Sequence, residues 1–102
     1  MAISSQQAQK QMQASLLVWM QRHIINLAPK ACHVETKIEG STLYVRGRTY
    51  EMRLDKMLPN TIWHTSVYRI DGCHKLAWKR SKGRYGALDF ALDVLDVDQR
   101  VT

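Results

Sequence analysis

Within six consecutive residues the chain carries Lys79, Arg80, Lys82 and Arg84, interrupted only by Ser81 and Gly83. The run falls where a β-type stretch, CHKLAWKR, gives way to a helical one, YGALDFALDVL. At such a junction the unpaired N–H groups of a helix start and the positive end of its dipole point the same way as the cationic side chains. That combination suits a phosphate group. Lys75, Arg69, Arg46, Arg48 and Arg53 can extend the positive surface across a sheet, and Tyr68 and His64 offer flat groups on which bases stack. The cations are unevenly placed. Residues 61–88 hold six Lys and Arg against one carboxylate, whereas residues 89–102 hold four carboxylates against Arg100.

Other chemistry has weaker support. His64, Tyr68, Lys75 and Lys79 on one hairpin face are residue types that small basic ribonucleases use for proton transfer and phosphate stabilisation, with His64 expected directly opposite Lys79. No P-loop, nucleophile motif or Ser/His/Asp order accompanies them, so the expectation is a non-enzymatic protein without a cofactor. Cys32-His33 and Cys73-His74 form a repeated pair of metal-ligand types. Neighbours on a strand point to opposite faces and no C-x₂₋₄-C or H-x₃₋₅-H spacing is present, so no metal site is expected. Asp89, Asp93 and Asp96 share one helical face but lack the glycine-punctuated loop of a calcium site, and read as a solvated stripe.

The elements that must position these groups begin with a hairpin. Asp71-Gly72 between TIWHTSVYRI and CHKLAWKR is a two-residue turn signal. Pairing Ile70 with Cys73 then sets Tyr68 opposite Lys75, Val67 opposite Leu76, Thr65 opposite Trp78 and His64 opposite Lys79. Alternation places Trp63, Val67, Leu76 and Trp78 on a core face. His64, Ser66, Tyr68, Lys75, Ala77 and Lys79 fall on a wet, basic face.

Upstream, Ser4 and Gln7 have the form of a capping box, and Met12, Leu16, Trp19, His23 and Leu27 recur at helical spacing with Met20 and Ile24 beside them. Pro29 ends that helix. From Ala31 the period changes to two: Val34, Thr36 and Ile38 share one face, and Glu39-Gly40-Ser41 turns the chain into TLYV. Arg46-Gly47 is either a second tight turn, between strands 42–45 and 48–54, or a bulge in one long strand. Residues 57–60, with Pro59, read as a connection. Tyr85, Leu88, Leu92 and Leu95, with Ala91, stripe a last helix. The predicted fold is α+β in one domain spanning 1–102. A long N-terminal helix (6–28), an antiparallel meander sheet of three to five strands (31–80) and a C-terminal helix (82–96) are expected, both helices on one sheet face.

A chain of 102 residues supports a single modest core. No apolar run approaches the ~18 residues of a membrane span, and the first residues lack the basic and apolar regions of a secretory signal. Two cysteines make no disulfide framework, which predicts a cytoplasmic protein with reduced thiols. The hairpin, basic turn and helix from Trp63 to Leu95 resemble the sheet-plus-helix layout of the amino-terminal domains of phage integrases, which read DNA with the sheet. The order helix, sheet, basic junction, helix is similar to that of a double-stranded-RNA-binding domain, whose lysines begin the last helix as Lys79, Arg80 and Lys82 do. The long glutamine-rich first helix departs from the former, and the extra strand material from the latter. These readings predict a small nucleic-acid-binding or regulatory protein of phage or mobile-element type, with DNA or RNA as partner. The alternatives are a phage-borne, anti-CRISPR-like module that inhibits a host protein, and a basic ribonuclease. The first helix offers a face for a homodimer.

Overall fold

The computed structural model describes residues 4–28, 33–57, 61–72 and 74–100. Its elements run α1 (Ser5–Leu27), β1 (Glu35–Glu39), β2 (Thr42–Arg46), β3 (Tyr50–Lys56), β4 (Trp63–Arg69), β5 (Lys75–Ser81) and α2 (Arg84–Arg100). The strands form one antiparallel sheet in the order β1-β2-β3-β4-β5, and both helices lie on the same face of it. The α+β meander is as expected. Relative to expectation, α1 begins one residue early and α2 starts two residues late and runs four further. Cys32, Cys73 and residues 58–60 lie outside the described residues.

Helix α1 starts on the capping box: Ser4 Oγ accepts from the Gln7 amide at 3.1 Å, and Gln7 Oε1 accepts from the Ser4 amide at 3.3 Å. Good helix formers carry it for six turns, and it ends at Ala28, whose extended backbone suits the residue before Pro29. The buried stripe is Leu17, Met20 and Ile24, with Leu16 and Trp19 at its flanks. Met12 and Leu27, expected on the stripe, are 66% and 56% exposed. The helix carries apolar neighbours in pairs (Leu16-Leu17, Trp19-Met20, Ile24-Ile25), so two stripes compete, and the sheet selects the one C-terminal to the stripe expected. No helix among the described residues is long and apolar enough to cross a membrane.

The core face of the sheet is set by alternation. Leu43 and Val45 of β2, Met52 and Leu54 of β3, and Trp63, Thr65 and Val67 of β4 point to the helices, and α2 adds Ala87, Leu88, Ala91 and Leu95. Burying each large side chain contributes about 1.5–3 kcal/mol. On α2 the stripe again turns relative to expectation: Tyr85 is exposed and Leu92 only half-buried, while Ala87 takes the inner position.

Two tight turns hold the meander. Gly40, with φ of +61°, makes the two-residue link between Glu39 and Thr42. Gly47 opens a turn rather than a bulge: its amide donates to the Tyr50 carbonyl at 2.9 Å, and β3 begins there. Asp98 of α2 is buried against this turn and accepts from the amides of Arg48 at 2.8 Å and Thr49 at 2.9 Å. A Cβ on Gly47 would lie 1.8 Å from Oδ2 of Asp98, so only glycine permits the carboxylate to approach.

The β4–β5 hairpin holds the main departure. Tyr68 pairs with Lys75 as expected, but Val67 pairs with Ala77, leaving Leu76 as an extra residue in a β-bulge. From there the register slips by one: Ser66 faces Trp78, Thr65 faces Lys79 and His64 faces Arg80. Because the side-chain period is two, the slip exchanges faces. Trp78 leaves the core face, where it was expected, for the open one, and Ala77 and Lys79 move to the helix side.

Candidate nucleic-acid interface

The sheet face turned away from the helices is covered by none of the described elements, and its side chains form three cross-strand rows. One runs Glu39, Thr42, Asp55, His64, Arg80; the next Lys37, Tyr44, Arg53, Ser66, Trp78; the third Glu35, Arg46, Glu51, Tyr68, Lys75. The β1–β3 half mixes both signs. Its charges answer one another: Lys37 pairs with Glu39 at 3.3 Å, Arg53 with Glu51 at 3.4 Å, and the Thr42 hydroxyl donates to Asp55. Arg46 sits between Glu35 and Glu51 across the sheet, so it does not extend a positive field.

The β4–β5 half differs in kind. Neither strand contains a carboxylate. His64, Tyr68 and Trp78 share its open face with Lys75 and Arg80, and Trp78 is 59% exposed. Trp78 and His64 meet edge-to-face, with ring centroids 5.2 Å apart. Arg53 reaches across from β3 and stacks its guanidinium over Tyr68 at 4.1 Å, with Tyr44 on its other flank at 5.7 Å. These contacts hold the aromatic groups in place by packing rather than leaving them as free rotors, and a cation over a ring contributes about 0.5–1 kcal/mol at an exposed site.

The basic junction does not converge as expected. Lys79 points to the helix side, with Nζ 5.4 Å from the centre of the Phe90 ring. Arg80 is on the open face and Lys82 projects from the link to α2, exposed. Arg84 stacks over Trp19 at 4.7 Å and Tyr85 at 5.4 Å, joining the start of α2 to α1, where Trp19 also stacks on His23 at 4.0 Å. The four cations therefore serve three surfaces, because the bulge and the helix start rotate them apart. Arg69 ends β4 on the helix side in an ion pair with Asp71 at 3.1 Å, and Arg48 sits in the turn tied to Asp98. The pair Lys79 and His64, expected to face each other, is on opposite sides of the sheet. The structure brings together His64, Tyr68, Lys75 and Arg80, leaves Lys79, Arg84, Arg69 and Arg48 elsewhere, and puts Arg46 in the mixed-sign half of the open face between Glu35 and Glu51.

Sequence reasoning misses two participants in the open face, Trp78 and Tyr44, and one buried carboxylate on the helix side, Asp98. The i, i+2 spacing of Leu76 and Trp78 is that of an inward-facing set and predicts a core position for Trp78. Tyr44 carried a usable signal, since it alternates with the buried Leu43 and Val45. Asp98 stands three residues beyond Leu95 and seven beyond Ala91, a spacing that puts a carboxylate on the buried stripe. One charge far from the open face is perturbed: burial on the helix side pushes the Lys56 ammonium below its ordinary 10.5 while it donates to the Met57 carbonyl at 2.7 Å. Among the described residues no three His, Cys, Asp or Glu side chains cluster as metal ligands do.

No protein-family model, curated protein or solved structure matches the chain.

Proposed function

We infer that the chain is a small non-enzymatic nucleic-acid-binding protein that lays an unpaired strand of DNA or RNA across the open face of β4 and β5. The observation that supports this reading is the Leu76 bulge, which puts an exposed Trp78 beside His64, Tyr68, Lys75 and Arg80 on strands without a carboxylate. A tryptophan facing water on an otherwise polar sheet gives a base a stacking surface, and the flanking cations lie at the reach of its phosphates. Lys82, beyond the end of β5, continues the path. The ribonuclease reading loses its pair, since Lys79 and His64 do not share a face.

The test is a fluorescence-anisotropy titration against labelled single-stranded DNA, single-stranded RNA and duplex at two salt concentrations. Stacking contributes about 1–3 kcal/mol per base, so Trp78→Ala is expected to weaken single-strand binding roughly 5- to 150-fold with its salt slope unchanged. Replacing Lys75, Arg80 and Lys82 together by alanine is expected to flatten the slope of log affinity against log salt by about 2, at ~0.7 per phosphate. No binding at low salt, or binding indifferent to Trp78, refutes the reading.

A further inference from the structure

Strand β5 is the edge of the sheet, and no described strand pairs with its outer side. Six of its seven residues are exposed. Past the bulge at Leu76, from Ala77 to Ser81, alternate N–H and C=O groups of this edge point away from the sheet and are open to another strand. Beside this edge, on the helix side, runs an apolar groove of about 360 Å³ between β5 and α2. Val67 and Ala77 line it from the sheet, Phe90 and Val94 from the helix. Leu76 and Val97 also line it, and they remain 52% and 48% exposed.

We propose that the β5 edge and this groove dock an extended segment of a partner protein, added as a sixth strand, in which acidic residues alternate with apolar ones. The alternation follows from the geometry. A strand added to β5 sends every second side chain to the helix side, against Leu76, Phe90 and Val97, where apolar groups fit; Lys79 also emerges there, with its ammonium over the Phe90 ring. The intervening side chains emerge on the open face beside Lys75 and Arg80, where carboxylates are attracted. The cations also choose against a second copy: β5 carries Lys75, Lys79 and Arg80 with no carboxylate, so pairing it with itself opposes like charges. On the helix side Asp93 of the α2 wall and Lys79 of the strand bring one charge of each sign, so the net positive charge that attracts carboxylates is on the open face, with Lys75 and Arg80. This surface is distinct from the proposed stacking face in its groove, although the two share Lys75 and Arg80.

The experiment is an NMR titration of the full chain, isotope-labelled, with the acetylated octapeptide Glu-Val-Glu-Phe-Glu-Val-Glu-Val, and with its analogue carrying Lys for every Glu. The acidic peptide is expected to shift the amides of 75–81 and the methyls of Leu76, Val94 and Val97, and to bind at least about tenfold more tightly than the Lys peptide. Val97→Glu, an exposed substitution outside the nucleic-acid face, is expected to weaken the acidic peptide about tenfold while leaving any single-strand nucleic-acid affinity unchanged. Equal binding of the two peptides, shifts confined to α1 or β1, indifference to Val97→Glu, or a wild-type dimer that Val97→Glu dissociates would each overturn the proposal.

Discussion

Replacing Asp98 by asparagine keeps the size of the buried side chain and turns one of its two acceptor oxygens into a donor. That nitrogen must then face the amide of Arg48 or Thr49, groups now held at 2.8 and 2.9 Å. A hydrogen bond to a charged acceptor contributes about 1.5–3 kcal/mol, so losing one and making the other neutral is expected to cost about 2–4 kcal/mol. For a domain of this size the melting temperature falls by roughly 10–25 °C. Asp96→Ala is the control, because its ion pair with Arg100 at 2.9 Å is on the exposed face, where such a pair contributes about 0.3–0.5 kcal/mol. Thermal unfolding followed by circular dichroism reads both. Gly47→Ala supplies a second axis: its Cβ collides with the Asp98 carboxylate, and in an Asp98→Ala background the collision is gone. Gly47→Ala is therefore expected to cost less in that background than in the wild type, by more than about 1 kcal/mol in a double-mutant cycle. Equal losses for Asp98→Asn and Asp96→Ala, or additive effects of Gly47→Ala and Asp98→Ala, would refute the clamp.

The two hairpin tryptophans are expected to behave oppositely: Trp63→Ala, at a fully buried site, should cost about 3–5 kcal/mol, and Trp78→Ala less than about 1 kcal/mol, both read by chemical denaturation. An iodide quenching titration should reach Trp78 and spare Trp63, and equal quenching of the Trp63→Phe and Trp78→Phe variants would contradict the bulged register. Lys56 gives a pH signature. Its folded pKa is below the unfolded 10.5, so between the two values the unfolded chain binds the extra proton and stability rises with pH. The stability of the wild type relative to Lys56→Met should therefore improve as pH climbs toward 10.5, and a flat difference in denaturant titrations would remove burial as the cause. In the nucleic-acid titrations Lys79→Ala should change single-strand affinity less than Arg80→Ala, since only Arg80 lies on the open face.

The parts of the fold that were legible are those where burial and period agree. Leu43, Val45, Met52 and Leu54 alternate with polar neighbours because β2 and β3 are central strands with one wet face, and Ser4 with Gln7 announced the start of α1 through local hydrogen bonds alone. The edge strand was not legible for a physical reason: β5 is exposed on both sides along most of its length, so its apolar residues report no burial, and the spacing of Leu76 and Trp78 imitated an inward set. Nor could the junction be placed, since the directions of Lys79, Arg80 and Arg84 depend on that bulge and on Trp19, sixty-five residues before Arg84, receiving the guanidinium. Asp98 shows the limit from the other side. Its position on the stripe was visible, but the amides that make burial of a carboxylate tolerable belong to a turn about fifty residues earlier.

The bulge at Leu76 uncouples the length of β5 from the identity of its faces. A codon lost at that position would shorten the strand by one residue, restore an unbroken ladder, and leave Trp78, Lys79 and Arg80 on the sides they now hold. Keeping the residue and flattening the ladder would send all three across the sheet together. The hairpin thus contains one residue more than its pairing uses. Insertions and deletions at this point act on the strand's backbone, while those beyond it rewrite both surfaces at once.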